Sequence, residues 1–194
     1  MYSLILQNVS RHIKLSADEA DYFTALLQPK KLRKKQVVIH AGDDARYEYF
    51  ITKGCMRQYY LDNNGQEHTI MFAPEDWWIG DMYGFVYSQP SLTMVDTLED
   101  TEALAIERCD YEKLLTAVPK FERFFRVLIQ RAFVTQQRRI IENMSLGAGQ
   151  RYINFTQQYP ELEQRLPLRQ IAYYLGITPE SLSRIRAGKL KKVE

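Results

Sequence analysis

The twenty residues from Leu168 to Ala187, LRQIAYYLGITPESLSRIRA, restrict the fold more than any other stretch of this 194-residue chain. A helix crossed at close range needs a small side chain at the crossing, and Ala172 stands there. Four residues on, Gly176 supplies the positive φ of a tight turn. Ile171, Leu175, Ile177, Leu182 and Ile185 fall where two helices would turn a common apolar side inward. Thr178 can cap the second helix, Pro179 suits its first turn, and Glu180 favours the positive end of its dipole. The spacing predicts a helix-turn-helix whose second helix presents Glu180, Ser181, Arg184 and, a turn further on, Arg186 and Lys189 outward.

Those outward residues carry recognition chemistry. An arginine can grip guanine O6 and N7, and a glutamate can accept from cytosine N4, when the start of such a helix enters the major groove. Arg184 and Glu180 are the candidate base readers, and Arg169, Thr178, Ser181, Arg186 and Lys189 complete the candidate DNA-binding set. An ordinary pair of amphipathic helices with solvated basic residues is the competing reading, and the charge distribution weighs against it. The whole chain is only +2, yet residues 165–194 hold seven Lys and Arg against two Asp and Glu, leaving residues 1–164 at −3. A phosphate backbone rewards that clustering through counterion release.

Composition narrows the remaining classes. A 45% hydrophobic and 26% charged chain is ordinary for a globular protein. No apolar run reaches membrane-spanning length, and the start, MYSLILQNVSRHIK, lacks the features of a signal peptide, so the cytoplasm is the expected compartment and no membrane partner is expected. Cys55 and Cys109 stand far apart and are expected as buried free thiols; His12, His40 and His68 are equally scattered. No metal site, cofactor or catalytic constellation is therefore expected, and the chain does not read as an enzyme.

Along the chain, Ser16-Ala17-Asp18-Glu19 reads as a capping box opening a helix to about Leu27, with Ala20, Phe23, Leu26 and Leu27 on one face. From Lys35 to Ile106 come short β-like runs: QVVIH, YEYFITKG, MRQYYL, EHTIMF, LTMVDTL and EALAIE. Turn signals separate them, as at Ala41-Gly42-Asp43-Asp44 and Asp62-Asn63-Asn64-Gly65, which predicts an antiparallel barrel or jelly roll. A long helical pattern runs from about Asp110 to Asn143 with a break near Pro119. Its stripe of Phe121, Phe124, Phe125, Leu128, Ala132 and Phe133 is followed by Ile140, Ile141 and Met144, and a partner helix from a second subunit is expected on it. Ser145 to Gly149 reads as a hinge, and a helix from about Gln150 to Gln158 leads into the hairpin.

This order, β-roll, long helix, hinge and helix-turn-helix, resembles the Crp/Fnr (cyclic-AMP receptor protein and Fnr) family of bacterial transcription regulators over nearly the whole chain. HAGDDARYEYFITKG from His40 and WWIGDMYGF from Trp77 are similar to that family's roll motifs. The resemblance implies an α+β fold with an effector-sensing antiparallel β-roll at 1–117, a long dimerisation helix and hinge at 118–146, and a DNA-binding helix-turn-helix at 147–194. It also implies a homodimer on double-stranded DNA, with RNA polymerase as a further partner.

Departures from the family pattern bear on the effector. By the resemblance, Gly80, Asp81, Met82, Ser91 and Leu92 in the roll and Gln136 and Gln137 on the long helix form the candidate effector pocket. Ser91 and Leu92 stand where a cyclic-nucleotide binder has its phosphate-holding Arg and Ser, and no Lys or Arg occurs between Arg57 and Arg108. A buried phosphate there would lack a cationic fork, so cyclic nucleotide is not the expected effector. Gln136 and Gln137 can instead meet solvent or a dimer mate, and Trp77, Trp78, Tyr83, Phe85 and Tyr87 line either an apolar pocket or plain core. Fnr-type oxygen sensing needs a cysteine cluster that is missing here, and no histidine is marked as a haem ligand. The sequence leaves little room for the β-hairpin wing that usually follows the recognition helix. Two alternatives stay open: a roll-based interaction module without DNA binding, and a cupin-like metal enzyme, which would need paired histidines where His40 and His68 stand alone.

Overall fold

A computed structural model describes the backbone from Met1 to Leu190 and the side chains from Met1 to Gly188. Its elements run α1 (Ser3–Ser10), α2 (Ala17–Ala25), β1 (Leu27–Leu32), β2 (Val37–Ile39), β3 (Tyr47–Lys53), β4 (Met56–Leu61), β5 (Glu67–Ala73), β6 (Trp78–Ile79), α3 (Met82–Tyr87), β7 (Met94–Thr97) and β8 (Thr101–Glu107). Six helices follow among the described residues: α4 (Arg108–Ala117), α5 (Lys120–Ser145), α6 (Ala148–Gln158), α7 (Leu162–Arg165), α8 (Leu168–Leu175) and α9 (Pro179–Leu190). The chain divides into two compact units, one of residues 1–60 and 71–131, the other of 61–70 and 132–194.

The first unit is built on two four-stranded sheets, ordered β1-β8-β3-β6 and β2-β7-β4-β5. β8 pairs antiparallel with β1 and β3, and β7 with β2 and β4, as a roll requires. β1, LQPKKL, lies where the sequence pattern leaves no strand. Its Pro29 would break a central ladder, but β1 is an edge, and its register Leu27↔Ile106 to Leu32↔Thr101 rests on β8. α2 accordingly stops at Ala25 rather than about Leu27, although the Ser16–Glu19 capping box forms as expected. α1 lies where the sequence pattern marks no element. It puts Ile5 and Val9 into a core shared with Phe23, Phe50, Leu104, Leu114, Phe121 and Phe124. A second core gathers Ile39, Tyr49, Ile51, Met56, Ile79 and Val95 between the sheets.

The long helical pattern resolves into α4 and α5, separated at Pro119. The first turns of α5 bury Phe121, Phe124 and Phe125, whereas Ile129, Phe133, Ile140, Ile141 and Met144 stay exposed. The expected buried-thiol pair is half corrected. Cys55 is buried, but Cys109 is exposed, because the second position of α4 faces away from the core that holds Leu114. Among the described residues no helix is long and apolar enough to cross a membrane.

In the second unit, α6, α7, α8 and α9 close a small core of Tyr152, Phe155, Leu162, Leu166, Ile171, Ala172, Leu175 and Leu182. α6 starts at Ala148, two residues earlier than its sequence pattern.

Candidate nucleic-acid interface and effector cradle

The hairpin's turn is chemically specified. Gly176 ends α8 at φ 65°, and the Ile177 amide donates to the Ala172 carbonyl (3.1 Å), a closure that an L side chain at Gly176 would strain. Two residues on, the Thr178 hydroxyl accepts from the Ser181 amide (3.2 Å) and so caps α9. Ala172 is fully buried under the crossing, with Ile171, Leu175 and Leu182 around it, while Ile177 and Ile185 are half-buried at its margin.

The opposite face of α9 is open. Glu180 and Arg184 are exposed one helical turn apart, and Ser181 is half-buried between the cap and the core. Hydrogen bonds from its own backbone amide and from Thr178, with Arg184 nearby, hold the Glu180 carboxyl below its usual range, so it is an acceptor at neutral pH. Ser183, which the sequence pattern passed over, shares this exposed face. Arg169 is exposed on α8 and donates to the Tyr173 hydroxyl (2.7 Å). Arg186 is exposed as expected, with its Nε 3.9 Å from the Glu163 carboxylate at the surface. The Lys189 side chain, and the lysines after it, lie outside the described residues.

The roll positions a different kind of site. Asp81 caps α3, its Oδ1 accepting from the amides of Tyr83 (3.0 Å) and Gly84 (3.2 Å). Its Oδ2 accepts from the Ser91 hydroxyl, the amides of Leu92 (2.9 Å) and Thr93 (3.2 Å), and the Thr93 hydroxyl (3.0 Å). Burial works against ionisation most strongly, but the donors of Ser91, Gly84 and Thr93 together outweigh it, and the carboxyl titrates below its ordinary value. Helix N-terminal and loop amides converging in this way make an anion cradle. Here the chain's own carboxylate fills it.

Nearby cations are engaged as well. Arg57 forms a buried fork with Asp96 (2.8 and 2.9 Å) across β4 and β7. Arg108, which sequence reasoning did not connect with the cassette, donates to Asp44 (2.8 Å) and to the carbonyls of Ala45 (3.0 Å) and Gly84 (2.9 Å). A cyclic nucleotide's phosphate would have to displace Asp81 without an arginine to receive it; the residues present do not fit that ligand. Beneath the cradle lies Glu48, buried, with Oε1 lacking a hydrogen-bond partner among the described residues. Gly80 makes room for it, since a Cβ there would overlap the Glu48 carboxyl. Burial, and then the charge of Asp81, push Glu48 up to about 8.

The other candidate pocket residues are distributed. Ser91 is buried on Asp81, while Met82 and Leu92 are exposed. Gln136 is half-buried and Gln137 exposed in the second unit. Of the cassette aromatics, Phe85 is core and Trp78 packs against the core, but Trp77, Tyr83 and Tyr87 reach solvent.

The chain matches the cyclic nucleotide-binding domain family over residues 29–117. It is 24% identical over 193 residues to an anaerobic regulatory protein of Aggregatibacter actinomycetemcomitans, covering 92% of this chain and 73% of that one. The fold is shared with FixK2 from Bradyrhizobium japonicum, at a TM-score of 0.74 and 19% identity, covering 86% of this chain and 85% of that one. A structure from Eubacterium rectale, described as a transcriptional regulator of the Crp/Fnr family, superposes at a TM-score of 0.72 with 16% identity, covering 91% and 85%. The roll, the long helix and the hairpin thus follow one another in a fold shared with these regulators, and the chain is similar to Crp/Fnr proteins along most of its length.

Proposed function

We propose that this protein is a DNA-binding transcriptional regulator that acts by binding rather than catalysis. In this reading it works in the cytoplasm as a homodimer on a near-palindromic site whose half-sites lie ~34 Å apart on one face of the duplex. The observation that carries it is α9, capped by Thr178, packed through Leu182 and open along Glu180, Ser183 and Arg184. Arg169 and Thr178 serve phosphates, Glu180 and Arg184 meet base edges, and Ser181, Arg186 and Lys189 support them.

Residues 118–146 supply the dimer contact in this scheme. Ile129, Phe133, Gln136, Ile140 and Met144 recur at spacings of three and four, so one face of α5 offers an apolar seam with a glutamine at its centre. RNA polymerase is a further partner implied by the family. The roll at 1–117 is the sensor, for an effector other than a cyclic nucleotide.

Selection of the full chain on random duplexes, followed by a salt titration, tests the reading. A regulator enriches a two-fold-related sequence, and its log affinity falls steeply with log salt. Failure to enrich any sequence, with a flat salt response, would leave the interaction module in its place.

A further inference from the structure

The second unit contains a cavity that the hairpin's outward face does not use. It has a volume of about 160 Å³ and is lined by Arg138, Arg139 and Glu142 of α5, Arg151 and Gln158 of α6, and Tyr174 of α8, among others. Three guanidinium groups thus face one carboxylate. That carboxylate is already engaged: Glu142 accepts from Arg138 Nε (2.8 Å) and from the Asn154 amide (3.1 Å).

Arg139 and Arg151 have only carbonyl partners among the described residues. Arg139 donates to the carbonyls of Ile70, Thr69 (2.7 Å) and Tyr174 (2.8 Å), and its guanidinium carbon stacks 4.1 Å from the Tyr174 ring centroid. Arg151 donates to the carbonyls of Asn143 (3.3 Å) and Leu146 (3.1 Å). The Nε of each is buried without an acceptor among the described residues. Capping the C-terminal ends of α5 and α8 is a structural role for both, but a helix end brings only about half a negative charge. Two full cations in a wall that also contains Phe155 and Leu175 therefore leave a positive excess. Low-dielectric walls concentrate its field in the cavity.

We propose that this cavity binds a compact oxyanion, a phosphate or small carboxylate, that joins α5, α6 and α8 through the unneutralised charge of Arg139 and Arg151. The space is about ten times the ~15 Å³ that one water requires. Gln158 and Asn143 offer neutral polar edges beside the cations. The site does not depend on whether α9 reads DNA.

Calorimetric titration of the nucleic-acid-free full chain at constant ionic strength, with inorganic phosphate in one arm and malonate in the other, tests this. The expected result is saturable uptake of one anion per chain in at least one arm, with a thermal midpoint that rises with that anion and not with chloride. Arg151→Met should weaken binding about tenfold or more. Glu142→Gln, which removes the one lining carboxylate, should strengthen it; this opposite direction separates anion binding from damage to the fold. No saturable binding in either arm, or affinities unchanged in Glu142→Gln, overturns the proposal.

Discussion

Replacing Glu48 by glutamine should convert a pH-sensitive roll into an insensitive one. The carboxyl ionises near 4.5 in an unfolded chain and at about 8 in the fold, where burial and then the Asp81 charge oppose ionisation. Between those values the folded protein holds a proton that the unfolded chain has released. Stability from this group is therefore complete below about pH 4.5 and is lost as pH rises toward 8, at about 1.4 kcal/mol per unit. From pH 5 to 7.5 the loss is about 3 kcal/mol, or roughly 6–12 °C in midpoint for a chain of this size. Glu48→Gln keeps the volume beside Gly80 and removes the proton. Urea unfolding at pH 5, 6, 7 and 7.5 can be followed by tryptophan fluorescence. Trp77 and Trp78 are the only tryptophans, and Trp78 lies in β6, paired with β3 next to Glu48, so the signal reports the relevant unit. The two proteins should agree near pH 5 and diverge steadily, the variant being about 3 kcal/mol more stable at pH 7.5. Groups common to the two proteins cancel in the difference. Parallel curves, or a variant weaker by the same amount at every pH, would show that the carboxylate is charged and partnered in the fold and refute the argument.

Asp81→Asn places an amide NH2 against groups that are themselves donors, and should destabilise the roll by at least about 2 kcal/mol at neutral pH in the same unfolding assay. Because the Asp81 pKa is depressed in the fold, its stabilisation is present above the ordinary carboxylate range and lost as pH falls through the folded value, so variant and parent should converge in acid. Arg184→Ala should cost about 1–3 kcal/mol on the selected operator and relax preference at one base pair, read by fluorescence anisotropy across single-base variants; a uniform loss on all sequences would make Arg184 a phosphate contact. Ile140→Glu puts a charge into the α5 seam and should leave a monomer by sedimentation equilibrium, whereas an unchanged mass would remove α5 from the interface.

The parts legible in the sequence are those where local chemistry and tertiary position agree. Gly176, Thr178 and Ala172 each have a local reason for their residue type, and the strands MRQYYL and YEYFITK carry their own β propensity. The parts that were missed owe their conformation to a partner elsewhere in the chain. β1 is a polar run with a proline that becomes a strand because β8 offers an edge. α1 is a short helix held by Ile5 and Val9 against residues a hundred positions away. Glu48 carried no signal at all, since a glutamate in an alternating strand reads as solvent-facing; its burial follows from Gly80, whose missing side chain leaves the space.

Two carboxyl groups in the roll have been driven in opposite directions by what surrounds them. Asp81 gathers six donors and stays ionised; Glu48, a short way beneath, finds no donor for Oε1 and keeps its proton. The same amides that would receive an external phosphate are satisfied from within, and an internal carboxylate needs no association entropy to stay there. An anion would therefore have to displace a ligand that is always present, into a site where a second acid already resists further negative charge. Binding at this end of the roll should favour neutral or cationic molecules, and a negative effector is better received in the second unit, where arginines rather than carboxylates lack a counter-charge.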